Sequence, residues 1–425
     1  MKNVLVFPCG TEIGLEINRA LAHSTHFNLI GANSYPDHGK YVYEKYIESI
    51  PHIDEPDFIA ILNEIIEKLS IDFIIPAHDS VVLKLSEYSS DIHAKVITSN
   101  FNTCSLTRSK LKTYEFFKNK IPTPIIYNIT NCNTFPVFLK PDVGQGSKGT
   151  YKVNSQEEID FYFAKDPTLL ALEYLPGKEY TIDCFTNKKG ELLYSQARER
   201  ARINNGISVN SKLVFNEKFQ KLAEKINSEI KFNGVWFFQV KENNIGEFVL
   251  MEIAPRIAGT MALSRILGVN FIQLSIFNEM DIDVSICINN FNVEIDRALF
   301  SRFKIDYKYE NVYIDFDDTI TFKTKVNTDV MKFIYQCKNE NIKLYLITKH
   351  KYNIYTTLEN LCIPTTLFEE IIVLQPTDLK SQAIKHKQKT IFIDDSFAER
   401  KDVSEKLNIP CFNIDSIEAL LDWKN

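Results

Sequence analysis

"FPVFLKPDVGQGSKGTYKV", residues 135–153, is the stretch that decides the fold class of this 425-residue chain. An apolar run of strand character delivers Lys140, and a turn holding Gly144, Gly146, Ser147 and Gly149 follows. Glycines let bare backbone N–H groups approach a bulky anion, and an ammonium neutralises its charge, so the pattern suits a polyphosphate. The Gly-Lys-Ser/Thr ending of a Walker loop is missing. Taken singly, the same residues also describe a flexible hairpin, and the flanking sequence has to decide.

Upstream, "NVLVFPCGTEIGLEINRAL" (3–21) reads as strand, glycine turn and helix, the opening of a Rossmann-like unit. Gly10 and Gly14 do not complete the dinucleotide fingerprint. "IDFIIPAHDS" (71–80) is a second apolar strand that ends in His78 and Asp79. A helix over 109–120 follows and is stopped by Pro122 and Pro124. Residues 133–305 mix strands and helices without regular alternation, which predicts α+β. From 311 onward apolar strands at 311–315, 343–348, 369–374, 390–394 and 410–414 alternate with helices at 328–340, 351–361, 378–387, 397–407 and 416–423. Such alternation predicts a parallel, doubly wound sheet. The expected organisation is a multidomain α/β and α+β chain divided into 1–108, 109–305 and 306–425, in keeping with roughly 150 residues per domain.

The net charge is −6, with no dominant basic block, which disfavours nucleic acid and anionic membranes as partners. The apolar run before Pro8 is only four residues long, and no apolar run reaches membrane-spanning length, so a cytoplasmic protein is expected. The eight cysteines lack close CxxC pairs and read as reduced thiols.

"RSK" (108–110), "IPTP", the 135–153 stretch, "LEYLPGKEYTID" (172–183), "ARERARINNGIS" (197–208), "GVWFFQV" (234–240) and "FVLMEIAPRIAGT" (248–260) form a series. Together they resemble the ATP-grasp superfamily, in particular its carbamoyl-phosphate-synthetase-like members, over roughly residues 1–300. Residue by residue, the resemblance implies that Lys110 and Lys140 hold the α- and β-phosphates of ATP while the 144–149 loop closes over the β- and γ-phosphates. It implies Glu173, Tyr174 and Leu175 beside adenine, Glu179 on the ribose, Gln239 and Glu252 on Mg²⁺ (with Mn²⁺ able to substitute), and Arg256 on the transferred phosphoryl group. The chain departs from the family at Ala254, where an asparagine usually gives an oxygen to a second magnesium. Either water and Glu252 hold that ion, or catalysis is weakened. Arg198, Arg200 and Arg202 alternate on one expected strand, either as a solvated face or as an anion-binding surface. His78 and Asp79 end a strand where the family reads its substrate.

In the last third, "NVYIDFDDTIT" (311–321), Thr348 at the end of "KLYLIT", Lys380 and "TIFIDD" (390–395) place their polar residues at the carboxyl edge of the expected sheet. Four carboxylates there would repel unless a divalent cation sits among them. The order resembles the haloacid dehalogenase (HAD) superfamily. That resemblance implies Asp315 as nucleophile, Asp317 as general acid/base, and Thr348 and Lys380 on the phosphate. Mg²⁺ would be held by Asp315, the Asp317 carbonyl and Asp395, with Asp394 in support; Asp318 replaces a frequent glycine. Thr348 follows Asp318 by 30 residues and Lys380 follows Thr348 by 32, too few for a cap domain.

The expected activity is twofold: ligation of a small-molecule carboxylate to an amine through an acyl phosphate, and hydrolysis of a phosphate ester. The rivals are a kinase with a phosphatase domain, and a nucleotide-binding module beside a silent HAD domain.

Overall fold

A computed structural model describes residues 1–48, 50–323 and 325–422, which fall into two compact units, Met1–Leu299 and Phe300–Asn425. The first unit begins with a five-stranded parallel sheet in the order Lys45–Ile47, Phe27–Ala32, Lys2–Phe7, Phe73–Pro76, Lys95–Val96. Its strand order reverses between Lys2–Phe7 and Phe73–Pro76, which opens a crevice at their carboxyl ends. The helix Glu12–Leu21 leaves that edge with Thr11 as N-cap, accepting from the Gly14 N–H. Gly14 is required there, because a Cβ would lie 2.2 Å from the Cys9 carbonyl oxygen.

The middle of this unit contains a three-stranded antiparallel sheet (Tyr151–Val153, Val137–Pro141, Leu169–Glu173). Beside it, a six-stranded antiparallel sheet runs in the order Phe248–Ala254, Gly234–Glu242, Glu179–Thr186, Leu192–Asn204, Ile207–Val214, Glu294–Asp296. The expected boundary at 108/109 does not separate compact units. Val4, Val6, Ile17, Phe73 and Ile75 share one core with Phe185, Phe237, Met261, Phe271 and Ile276. The helix expected at 109–120 runs Lys110–Phe117. Ser109 caps it by accepting from the Lys112 N–H and donates to Asp142. Ser109→Ala is expected to cost about 1 kcal/mol, measured by urea denaturation.

The second unit has a five-stranded parallel sheet in the order Glu370–Val373, Lys343–Thr348, Asn311–Ile314, Thr390–Ile393, Cys411–Phe412. Both faces are covered. Val312 and Ile314 pack with Phe333 and Leu358 on one side, and Tyr313 packs with Phe392 and Val403 on the other. The doubly wound expectation therefore holds, with shorter elements late in the chain. The helix expected at 378–387 is only Lys380–Ala383, because Ile384 turns extended and buries in the core. The stretch at 416–423 contributes a 3₁₀ turn over Ile414–Ala419, and position 423 lies outside the described residues. Among the described residues no helix is long and apolar enough to cross a membrane. The eight cysteines are unpaired.

Candidate functional site

A cavity of about 340 Å³ in the first unit is lined by Thr11, Glu12, His78 and Asp79 from the crevice edge, and by the six-stranded sheet. A neighbouring cavity of about 140 Å³ shares with it Lys110, Gly144, Gly146, Gln239 and Glu252. Register builds the floor. Glu252 stands opposite Gln239, Gln239 opposite Thr181, and Thr181 opposite Arg198, so four adjacent strands present one row to one face.

Lys140 is buried, with Nζ 3.3 Å from the Met251 carbonyl and 5.5 Å from the Tyr114 ring centre. Burial, and secondarily the Lys110 charge, pull its pKa down to about 7. Lys110 donates to the carbonyls of Asp142 (3.1 Å) and Gly144 (3.3 Å), and burial lowers its pKa too. Gly146 (φ 61°) and Ser147 (φ 55°) turn the loop left-handed at the cavity edge. Gly149 is off the lining and forms the exit of the turn at φ 69°. Glu173, Tyr174, Leu175 and Glu179 line the smaller cavity, with the Lys152 ammonium 4.3 Å above the Tyr174 ring centre.

Of the three alternating arginines, Arg198 and Arg200 line the main cavity, and all three already hold carboxylates. Arg198 is buried and makes two bonds to Asp183 (2.8 and 3.0 Å), Arg200 is ion-paired with Glu179, and Arg202 with Asp296. Arg256 is likewise occupied, holding Asp79 through Nε (2.6 Å) and Nη2 (2.8 Å). Burial alone would raise the Asp79 pKa; the arginine outweighs it and keeps the carboxylate low. His78 Nδ1 accepts from the Ser80 N–H, and its ring contacts the Gln145 amide of the glycine-rich loop. Sequence reasoning missed the Asn205-Gly206 turn, although Asn-Gly between two alternating strands is a strong hairpin signal. Both residues have positive φ, and both line the main cavity.

The donors suit a hard divalent cation. Glu252 and Gln239 offer oxygens, and Thr181 Oγ1, in the same row, is buried without a hydrogen-bond partner. Ala254 offers none: it stands opposite Phe237 and joins the apolar core.

In the second unit Lys380 Nζ lies 2.5 Å from Asp315 and 2.7 Å from Asp394. Carboxylate oxygens of Asp315, Asp394 and Asp395 lie within 4.8 Å of one another, a hard-oxygen set that fits Mg²⁺. Burial pushes the Asp315 pKa up to about 7 against the pull of Lys380, and burial also raises Asp394. Three carboxylates converge here rather than four. Asp317 turns instead to His350 Nδ1 (2.9 Å), whose Nε2 meets Thr357 Oγ1 (3.0 Å). Thr348 is buried, its hydroxyl accepting from the His350 N–H (3.0 Å). Lys380 therefore balances the like charges of Asp315 and Asp394 while His350 holds Asp317 apart, an arrangement that strand-end aspartates do not reveal in sequence.

The first unit thus sets a glycine-rich loop and two buried lysines over an antiparallel sheet. Residues 165–294 match the family model described as ATP-grasp in the biosynthetic pathway with Ter operon. The chain is similar to carbamoyl-phosphate synthase of Methanobrevibacter smithii, 27% identical over 183 residues that cover 36% of this chain and 50% of that protein. It is also similar to D-alanine–D-alanine ligase of Petrotoga mobilis, 37% identical over 93 residues, covering 20% of this chain and 31% of that protein. The chain thus spans half or less of the curated relatives it matches. Biotin carboxylase of Campylobacter jejuni shares the fold at TM-score 0.56 and 15% identity, over 67% of this chain and 72% of that one.

Proposed function

We propose that the first unit is an ATP-dependent carboxylate–amine ligase. A carboxylate oxygen of a small-molecule substrate attacks the γ-phosphorus, ADP leaves, and an amine displaces phosphate from the acyl phosphate. The observation that supports this is the meeting of Lys110, Lys140, the 144–149 loop and the Glu252–Gln239 row on adjoining cavities. Phosphoryl transfer depends on positioned cations rather than on protein covalency. In this reading Lys110 and Lys140 hold the α- and β-phosphates, Glu173 to Leu175 flank adenine, and Glu179 takes the ribose. Glu252 and Gln239 would hold Mg²⁺, which supplies charge neutralisation between the phosphates. Arg256, oriented by Asp79, faces the transferred group. The test is ADP release across carboxylate and amine pairs, sugar acids included. ADP release that needs a carboxylate but no amine would favour the kinase reading instead; no release from any pair, together with no MgADP binding, would overturn both.

For the second unit we propose a HAD-type phosphatase without a cap. The supporting observation is the buried Asp315–Lys380–Asp394 cluster beside Asp395. Asp315 would attack the phosphate ester, Asp317 would protonate the leaving alcohol, Thr348 and Lys380 would hold the phosphate, and water would release it from Asp315. Bound Mg²⁺ would neutralise the charges among the carboxylates.

Ala254→Asn is expected to lower severalfold the Mg²⁺ concentration for half-maximal ATP turnover, because it returns an oxygen beside Glu252. A magnesium titration of both proteins checks this, and an unchanged curve means that the second ion does not use this position.

A further inference from the structure

Arg200 touches more of the first unit than the proposed chemistry requires. It lies on the Leu192–Asn204 strand with only 9% of its side chain exposed. Its guanidinium reaches three elements. Nη1 donates to Glu179 at the start of one strand and to Gln239 Oε1 (3.1 Å) on another, and Nη2 donates to the Gly206 carbonyl (2.7 Å). The Asn205-Gly206 turn then presses on the glycine-rich loop. A Cβ on Gly206 would lie 2.3 Å from the Gly146 carbonyl carbon and 2.7 Å from the Ser147 nitrogen. Backbone therefore meets backbone, with no flexible side chain between turn and loop.

We infer that Arg200 is a positioning residue: it sets the closed position of the 144–149 loop over a bound nucleotide and ties that position to Glu179 and Gln239. The inference rests on the nucleotide reading given above. The contacts leave capacity for a ligand, since Glu179 keeps its second carboxylate oxygen and the Gln239 carbonyl a second lone pair. A planar guanidinium holds its donors in a fixed fork that meets acceptors on two strands and a turn at once, whereas a lysine ammonium gathers its three donors at one point. The Gly206 carbonyl thus couples loop closure to the two residues that the nucleotide's ribose and metal would meet.

The test uses the full chain with MgADP as probe, calorimetry for affinity, and hydrogen exchange of residues 144–149 with and without the nucleotide. Wild type should bind MgADP and protect the loop. Arg200→Lys should keep the wild-type unfolding midpoint, bind MgADP about tenfold more weakly, and lose the protection at 144–149. Gly206→Ala, which leaves Arg200 intact but collides with Gly146, should lose the same protection; a general structural defect would instead raise exchange throughout the unit. Lys140→Ala serves as the control for the nucleotide site itself. If Lys140→Ala weakens MgADP while Arg200→Lys binds and protects like wild type, Arg200 is only structural and the inference fails. Tighter binding by Arg200→Lys would make Arg200 an obstruction and also overturn it. If wild type does not bind MgADP at all, the nucleotide reading falls, and the inference with it.

Discussion

Asp315→Asn is expected to abolish phosphate release from an aryl phosphate in the presence of Mg²⁺, while ATP turnover by the first unit continues. A neutral amide cannot attack phosphorus, and asparagine is nearly isosteric, so chemistry is lost before shape. The fold should survive, because Lys380 keeps its 2.7 Å contact with Asp394. Stability measurements without metal give an independent readout. The folded-state pKa of Asp315 is raised from 3.8 to about 7, chiefly by burial. Its contribution to stability is therefore fully present below about pH 4 and lost as pH rises through about 7. The asparagine variant should lack that decline and be the more stable form at neutral pH when a chelator is present. Asp317→Asn should differ, leaving slow formation of the phosphoryl-enzyme detectable. Full phosphate release by Asp315→Asn would exclude Asp315 as nucleophile, and no release by wild type from a broad panel of esters would leave the cluster a structural one.

Lys140→Ala is expected to slow ATP turnover by roughly 10²–10³, the loss of about 2–4 kcal/mol of charge stabilisation in the transition state. Phosphate-ester hydrolysis should be untouched, since that cluster belongs to the other unit. The buried ammonium also has a pH signature of its own. With the folded pKa lowered to about 7 and an ordinary value of 10.5, the unfolded chain binds more protons between those limits. Nucleotide-free stability of wild type should therefore rise with pH across that window, and Lys140→Met should flatten the rise. Normal ATP turnover in Lys140→Ala would remove the lysine from the phosphate site.

Much of the second unit was legible in its residues. Runs such as "KLYLIT" and "TIFIDD" are continuous apolar strands with polar ends, and their alternation with helices specifies a parallel sheet covered on both faces. Lys140 and the glycines after it were legible for the same reason, because strand, turn and charge are written within twenty residues. The Lys380–Ala383 helix was overextended because the demand of the core for Ile384 outweighs the helical propensity of the residues that follow.

The sequence by itself determined which elements form and which residues stand at their ends, since periodicity and turn chemistry act over a few residues. Only the tertiary structure decided how the charges are spent. Arg297 and Glu12 meet across 285 positions, Arg256 and Asp79 across 177, and Lys380 and Asp315 across 65. The merging of residues 1–108 with the sheet behind them is of the same kind, as is the reach of Arg200 to three strands and turns. Such contacts depend on sheet register and packing between distant segments, and no local pattern encodes them.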